Sequence, residues 1–581
     1  MRNATLSASR PPLRLRLPPR QLIWVGVAAS VIWAAVQANL FSGALINPGG
    51  WALVVRLLDG LFHPNFSSAF LRLTLDSTLI TLSYAVLGTF FSLVIGMVGG
   101  ILSSEVWWQA HGFNQEAARP GSIALRFYRR SPWLAARTLL AVPRSLHEIV
   151  WGLIFVNIFG LVPLTAIFAI AVPFGAICAK VFSEILDEQP RQPFLAMLNA
   201  GAPPLQAFFY ALFPSALPNL ISYSFYRFEC SIRSATILGI IGAGGLGYQI
   251  LLSLQSLRYQ EFLPMLIALL LLSGLTDVWS SQLRQALGGS TRIEIQTGVN
   301  HTAGIPSTGS TRSSAFLKGS MISILLLTGF ALVYLKPDFS SILAPRTAQL
   351  LEGILRDSFP PQLPDGGLLY LLRLSGQTLA ISILAMAAVG PLAMAAAFVS
   401  SGRLRNLGQI TATRQPGLRP AAILAYLVRM FFLIARAVPT PIWVLMILFV
   451  VFPGILPGAV ALALHNWGIT GRLMVETVDN MDERPLVALQ SLGASPGQTF
   501  MYGALPDVFP GFISYIFYRW ENCIRETVVI GIVGAGGLGR LLSEQLSNFD
   551  YAAITSTLIA LILLTILVDL LSSAVRRQYR S

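Results

Sequence analysis

The chain contains the same stretch twice. Residues 201–247 (GAPPLQAFFYALFPSALPNLISYSFYRFECSIRSATILGIIGAGGLG) and 493–539 (GASPGQTFMYGALPDVFPGFISYIFYRWENCIRETVVIGIVGAGGLG) align without a gap at an offset of 292. The alignment pairs Gly201 with Gly493, Arg227 with Arg519, Glu229 with Glu521, Arg233 with Arg525 and Gly242 with Gly534. A duplication of this length restricts the molecule to two like halves related by a pseudo-twofold. Each copy sets charged residues inside an apolar run and ends in a glycine-rich loop.

The solvent for those halves follows from composition. With 54% hydrophobic and 11% charged residues and a mean hydropathy of +0.66, the chain is too apolar for a water-soluble globule. The net charge of +14 comes almost wholly from arginine, with lysine only at Lys180, Lys318 and Lys336. The arginines cluster in short segments between apolar runs, as the positive-inside rule expects, and this speaks against nucleic acid as a partner. Cys178, Cys230 and Cys523 lie in apolar segments at spacings that fit neither disulfides nor zinc, and the five histidines are scattered singly. No metal site is expected.

A basic start, residues 1–21, precedes the apolar run Leu22–Leu40, which is long enough to cross a bilayer. The run reads either as a signal peptide or as a retained span. Its counterpart Met321–Leu335 lies mid-chain, where no signal peptide can be, and points to retention. Residues 41–70 read as an external loop, and further spans are expected near 73–102, 138–160, 164–186, 217–241 and 262–283. Arg119, Arg126, Arg129, Arg130 and Arg137 place the loop after the second span in the cytoplasm. A Gly/Ser/Thr-rich linker is expected at 284–318. The plan then repeats near 319–336, 372–399, 423–451, 455–477, 508–532 and 553–574, with Arg403, Arg405, Arg414 and Arg419 in the second inner loop. The expected domains are thus 22–283 and 319–575, with a cytoplasmic tail at 576–581. The expected fold is an all-α polytopic membrane protein of twelve helices in two parallel six-helix repeats, both termini cytoplasmic and the pathway between the halves.

The loop GAGGLG (Gly242, Gly244, Gly245, Gly247; Gly534, Gly536, Gly537, Gly539) matches the dinucleotide pattern G-x-G-x-x-G. A Rossmann site needs a short strand and a soluble βαβ unit, and here a long apolar run stands on each side. The loop is therefore a hinge that lets backbones approach closely, or a ring of N–H groups for an anion, and it suits an outer gate in either case. Mid-span Arg227, Glu229 and Arg233, and Arg519, Glu521 and Arg525, are costly in a membrane and so line a pathway or neutralise one another. Glu229 with Arg233 and Glu521 with Arg525 have i,i+4 spacing, which leaves Arg227 and Arg519 without such a partner. Two spare guanidiniums across a pseudo-twofold suit a small tetrahedral oxyanion. Ser234 is replaced by Glu526 in the second copy, so the two sides are not electrically equal. RSLHEIVW (144–151) aligns with RAVPTPIW (436–443) at the same offset, with Glu148 replaced by Thr440. Glu148 is either a pathway residue or a helix-end charge.

A glycine followed about a dozen residues later by an apolar residue and proline occurs between the fourth and fifth spans of each half. Gly201 with Phe213-Pro214 and Gly493 with Leu505-Pro506 in this way resemble the coupling loop of ABC importer permeases. The sequence at 493–539 resembles the phosphonate-type permease subunit, and the likeness covers about 132–283 and 423–575. The resemblance implies a type I ABC importer permease with two halves fused in one chain, in a bacterial inner membrane. It implies that Gly201, Pro214, Gly493 and Pro506 bracket short helices that dock on two copies of a cytoplasmic ATPase. The Glu-Ala-Ala usual in that loop is replaced by Leu195-Ala196-Met197 and Val487-Ala488-Leu489. The chain has no Gly-Lys dipeptide and hence no phosphate-binding P-loop, so it is not itself the ATPase. ATP and magnesium would be held by the partner subunits, no cofactor by this chain, and an extracytoplasmic binding protein would deliver the solute. The implied substrate is phosphonate or a related phosphorus oxyanion such as phosphite or phosphate. The alternatives are a permease for methionine or a quaternary amine, and an ion-coupled secondary transporter or channel.

Overall fold

The computed structural model describes residues 19–41, 45–108, 123–287, 311–401 and 420–580. Residues 288–310 of the expected linker, the basic start up to residue 18, and Arg119, Arg403, Arg405, Arg414 and Arg419 lie outside them. Among the described residues the chain is helical, with one isolated antiparallel bridge, Ile46 to Val451. Each expected span falls on helical sequence, 138–160 and 423–451 on a sharply bent pair of helices each. Six helices are long and apolar enough to cross a membrane, and four bent pairs bring the number to ten. The other two expected crossings are the apolar helix Ile23–Gln37 and helix Ile455–Asp479, where His465, Asn466 and Arg472 interrupt the apolar run.

In the first half, α1 (Pro19–Gln37), α2 (Trp51–Phe62) and α3 (Ser68–Ser103) are followed by α4 (Ile123–Ser145), α5 (Glu148–Phe159) and α6 (Pro163–Asp187). Then come the short α7 (Gln192–Asn199), α8 (Phe213–Leu238), α9 (Gly245–Gln255) and α10 (Tyr259–Ala286). The second half repeats the order: α11 (Thr311–Leu335), α12 (Pro345–Asp357), α13 (Gly367–Ser400), α14 (Pro420–Ala437), α15 (Thr440–Ile447), α16 (Ile455–Asp479), α17 (Arg484–Ser491), α18 (Leu505–Ile530), α19 (Gly537–Ser547) and α20 (Tyr551–Arg580).

Two expectations are corrected, and a helix is added between the fifth and sixth spans of each half. The stretch 138–160 is not one straight span: α4 and α5 meet at 90°, and α14 and α15 at 99°. His147 and Pro439 cause the breaks, since each takes an extended conformation and starts a new helix, His147 accepting the Ile149 N–H through Nδ1 at 3.3 Å. Residues 41–70 are not wholly loop, because α2 presents an apolar face to α10, with Gly60 pressed against Tyr259. The segment after GAGGLG is also helical: α9 and α19 turn back from α8 and α18 at 58° and 66°.

The core of each half is a seam between its second and fourth spans. Gly96 lies where an added Cβ would meet the Cβ of Cys178 at 2.4 Å, and Gly100 where it would meet that of Phe182 at 2.8 Å. Small residues at such intervals let membrane helices approach closely without an aqueous driving force. Alanines serve the same seam in α13, where Ala385, Ala393, Ala396 and Ala397 are buried. The first helix of each half crosses over: Ala34 of α1 packs with Ala380 and Ile383 of α13, and Ala331 of α11 packs with Leu87 and Ile167. Two apolar clusters then join the halves. One sets Leu146, Ile149 and Val150 against Val528, Leu538 and Leu542; the other sets Val438 and Ile442 against Leu246, Ile250 and Leu269. Both bends therefore insert a helix start into the opposite half, and the space between them is the molecular centre.

Candidate functional site

A cavity of about 160 Å³ lies in that space and is lined by both halves. Arg144, Arg227 and Arg233 of the first half and Arg519 and Arg525 of the second face Glu148 and Glu526 across it, so arginines outnumber carboxylates five to two. Its walls also include the first residues of α5 and α15, Glu148 and Thr440, whose helix N-termini add positive potential to the cavity.

Arg227 sits midway along α8 and is 7% exposed. Its guanidinium carbon lies over the Phe174 ring, 3.7 Å from the centroid, and its Nε and Nη2 are buried without a hydrogen-bond partner. Tyr223, Tyr226, Cys178 and Cys230 surround it, and no carboxylate comes within ion-pair distance among the described residues. An uncompensated buried charge costs on the order of 3–5 kcal/mol. A membrane protein that keeps one has a use for it.

Arg519 occupies the equivalent place in α18 but is fully engaged. Its Nε donates to Asn466 Oδ1 at 3.0 Å and its Nη2 to Glu526 Oε1 at 3.1 Å. Asn466 Nδ2 in turn donates to Glu526 Oε2 at 3.1 Å and closes the ring. Arg519 was expected to lack a carboxylate, and Glu526 corrects that: seven positions on, about two helical turns, it returns to the same face.

The expected i,i+4 pairs are also corrected. Glu229 reaches Arg436 of the second half at 3.5 Å, and Glu521 pairs with Arg576 of α20 at 2.5 Å. Neither glutamate lines the cavity. Each has an arginine on a neighbouring helix, whereas Arg233 and Arg525 point the other way. Arg233 donates to Cys230 Sγ at 3.5 Å, and Arg525 to the Arg144 carbonyl at 3.2 Å and Asn522 Oδ1 at 3.1 Å. Glu148 is both a helix-end charge and a cavity residue: it opens α5 and accepts from the Ser234 hydroxyl at 2.6 Å, with His147 Nδ1 at 3.3 Å.

The sequence reading did not single out Phe174, His465, Asn466 or Asn522, all of which line the cavity or hold its arginines. The offset of 292 that exposed the repeat pairs Phe174 with Asn466 and Cys230 with Asn522. A polar residue replacing an apolar one mid-span was the available signal. Arg144 lines this cavity and also a second one of about 210 Å³ inside the first half, with Arg137, Lys180 and Ser183. Its counterpart Arg436 is drawn outward to Asp277 at 2.5 Å, where Arg472 joins at 2.8 Å.

The glycine loops do not line the central cavity. Gly242, Gly244 and Gly245, like Gly534, Gly536 and Gly537, hold positive φ. At Gly247 an added Cβ would stand 1.8 Å from the Thr236 carbonyl, and at Gly539 2.3 Å from that of Val528. The Leu246 and Leu538 N–H groups after the bends donate to Thr81 and Thr378 Oγ1, both at 2.9 Å. The loops are thus bends closed on their own helices. At the other end of each unit, Gly201 and Gly493 have φ of 87° and terminate α7 and α17, with Ala202 and Ala494 N–H bonded back to Met197 and Leu489. Pro214 and Pro506 stand in the first turns of α8 and α18. α7 and α17 expose Leu195 and Val487, and none of Gly201, Pro214, Gly493 and Pro506 lines the central cavity.

The family model described as binding-protein-dependent transport system inner membrane component matches residues 120–288 and again 406–581. The phosphate-import permease protein PhnE of Mycolicibacterium smegmatis is 24% identical over 444 residues, 76% of this chain and 77% of that one. The phosphite transport system permease protein PtxC of Stutzerimonas stutzeri is 35% identical over 145 residues, 25% of this chain and 53% of that one. A permease of Escherichia coli named for a cryptic phosphonate transport system, PhnE2, is 34% identical over 119 residues, 20% of this chain and 98% of that one.

Proposed function

The chain belongs to the family of binding-protein-dependent transport system inner membrane components, with two family units in one polypeptide, and on that premise we propose that it is the complete permease of an ATP-driven importer of phosphorus oxyanions. The observation that carries the substrate class is Arg227, a buried guanidinium without a carboxylate in a cavity where arginines outnumber glutamates. Phosphonate, phosphite and phosphate each offer a tetrahedral set of oxygens to such donors. The names of three relatives, one each for phosphate, phosphite and phosphonate, favour the same class, over betaine permeases that are 26% identical over 144 residues. A quaternary amine would want an aromatic cage or acidic walls, whereas the walls here carry five arginines against two glutamates. An ion-coupled transporter would leave the duplicated helices α7 and α17 without a use.

The permease catalyses no reaction itself. Two copies of a cytoplasmic ATPase would dock on α7 and α17, and an extracytoplasmic binding protein would dock on the opposite face, both chain termini being cytoplasmic. Closure of the ATPases would draw α7 and α17 together. Each is followed within one continuous unit by α8 or α18 and then by a glycine bend, so the movement would open the outer gate and expose Arg227. Separation of the ATPases would reverse it and release the anion inward.

The test is ATP-dependent uptake in liposomes containing the permease, its ATPase and its binding protein, comparing methylphosphonate, phosphite, phosphate, methionine and glycine betaine. Stimulation by at least one phosphorus oxyanion and by neither organic solute is expected, and the reverse would overturn the substrate class. Uptake without ATPase would overturn the transport class. Arg227→Ala combined with Arg519→Ala should abolish uptake while the complex still assembles.

A further inference from the structure

We propose that the cavity is one-sided: Arg227 takes the anion, while Glu526, with Asn466, occupies Arg519 as a built-in stand-in for the same ligand. This rests on the oxyanion reading above and adds a competitor to it. A carboxylate presents to a guanidinium fork the same charge-assisted acceptors as a phosphorus oxyanion. Arg519 already has those acceptors in the closed ring with Glu526 and Asn466. Arg227 has none, because Phe174 stands where the second half has Asn466, and Ser234 stands where it has Glu526.

The carboxylate has not been lost from the first half but moved. Ser234 and Glu148 touch at 2.6 Å, and their counterparts are Glu526 and Thr440. Each half therefore keeps one carboxylate and one hydroxyl at this pair of positions, with the order exchanged between α5 and α8 on one side and α15 and α18 on the other. In the first half the acid lies at the helix bend, held by Ser234 and beside His147, clear of Arg227. In the second it lies on the same helix as the arginine and covers it. The exchange leaves the charge of the two positions unchanged and alters only which guanidinium is open. An anion entering the cavity meets one open fork and one that is masked, so it is held by the first half and kept from being clamped by both. Glu526 thereby sets release rather than capture.

The experiment uses the full permease with its ATPases in nanodiscs, without binding protein. Radiolabelled phosphate binding and the ligand-dependent rise in thermal unfolding midpoint are measured with phosphate and with methylphosphonate. Arg227→Ala should weaken binding at least about tenfold, as expected for one lost charge-assisted fork, and Arg519→Ala less than about threefold. Glu526→Gln should tighten binding by about tenfold and slow ATP-driven uptake. If that variant does not assemble, Thr440→Glu with Glu526→Ser rebuilds the first half's arrangement at unchanged charge, and the same tightening is expected. Equal losses for the two arginine variants, or no tightening in the Glu526 variant that assembles, would overturn the one-sided cavity. A parent complex that answers neither anion would overturn the oxyanion reading as well.

Discussion

The two halves carry the same arginines and discharge them differently. Arg436 and Arg519 of the second half are bound to Asp277 and to Glu526 with Asn466. The first half's equivalents, Arg144 and Arg227, have no carboxylate within ion-pair distance among the described residues, and both line the cavity. Alignment of the halves shows shared positions; only the packing shows that the shared arginine is paired with a carboxylate in one half and has none in the other. Duplication gave two equal frames, and substitution of their neighbours (Phe174 for Asn466, Ser234 for Glu526) separated their duties.

The comparison is broken most severely at the outer struts. Asp277 and Asp569 are equivalent by the offset of 292, but Asp277 bridges Arg436 at 2.5 Å and Arg472 at 2.8 Å, whereas Asp569 Oδ1 is buried with no hydrogen-bond partner. Asp277→Asn should cost about 3 kcal/mol, the low end for breaking a buried pair, because Glu229 and Glu476 still reach the two arginines. Asp569→Asn should cost less than about 1 kcal/mol, since no ion pair is lost. Thermal or denaturant unfolding of the two variants in the same detergent measures the difference. Equal costs would mean that the halves share a strut the geometry does not contain.

The frame was legible in the sequence and the division of duties was not. Twelve apolar runs, the offset of 292 and mid-span arginines at Arg227 and Arg519 were enough to place helices, repeat and cavity. The bends before Glu148 and Thr440 were signalled by Pro143, Arg144 and His147 and by Arg436, Pro439 and Pro441, but the apolar residues on either side are dense enough that averaged hydropathy reads one span through each. The i,i+4 spacing suggested partners for Glu229 and Glu521 that tertiary packing overrode with Arg436 and Arg576 from other helices. Glu526 was visible as a difference between the repeats, but its contact with Arg519 depends on Asn466, which comes from another span. Local spacing reports what a helix can do alone; the site depends on which neighbours it meets.

A sharper form of the comparison concerns the glycine bends, which differ in tightness. An added Cβ at Gly247 would stand 1.8 Å from the Thr236 carbonyl oxygen, and at Gly539 2.3 Å from that of Val528. Backbone cannot yield as a side-chain tip does, so Gly247→Ala should cost about 2–3 kcal/mol and Gly539→Ala about 1–2 kcal/mol, within the usual range for overpacking. Unfolding midpoints rank them, and the opposite order would show that the second bend is the stiffer.

The smallest effect is expected where the halves agree. Leu246 and Leu538 stand in the first turns of α9 and α19, and each donates its N–H to a threonine of another helix, Thr81 or Thr378, at 2.9 Å. Each threonine hydroxyl donates in turn to the carbonyl four residues before it, Ser77 or Leu374, also at 2.9 Å. The threonines thus act as N-terminal caps supplied from outside the helix, and Thr81→Val or Thr378→Val should cost about 1 kcal/mol. With matching hydrogen-bond distances, the two losses should agree within about 0.5 kcal/mol. Hydrogen exchange at the Leu246 and Leu538 amides reads each bend separately. Asn47 N–H bonds to the Val450 carbonyl at 2.8 Å and Phe452 N–H to that of Leu45 at 3.3 Å, a strap from the first half to the second. If Leu246 exchanges markedly more slowly than Leu538 after both substitutions, the strap loads the first bend. The two bends would then yield in sequence rather than together.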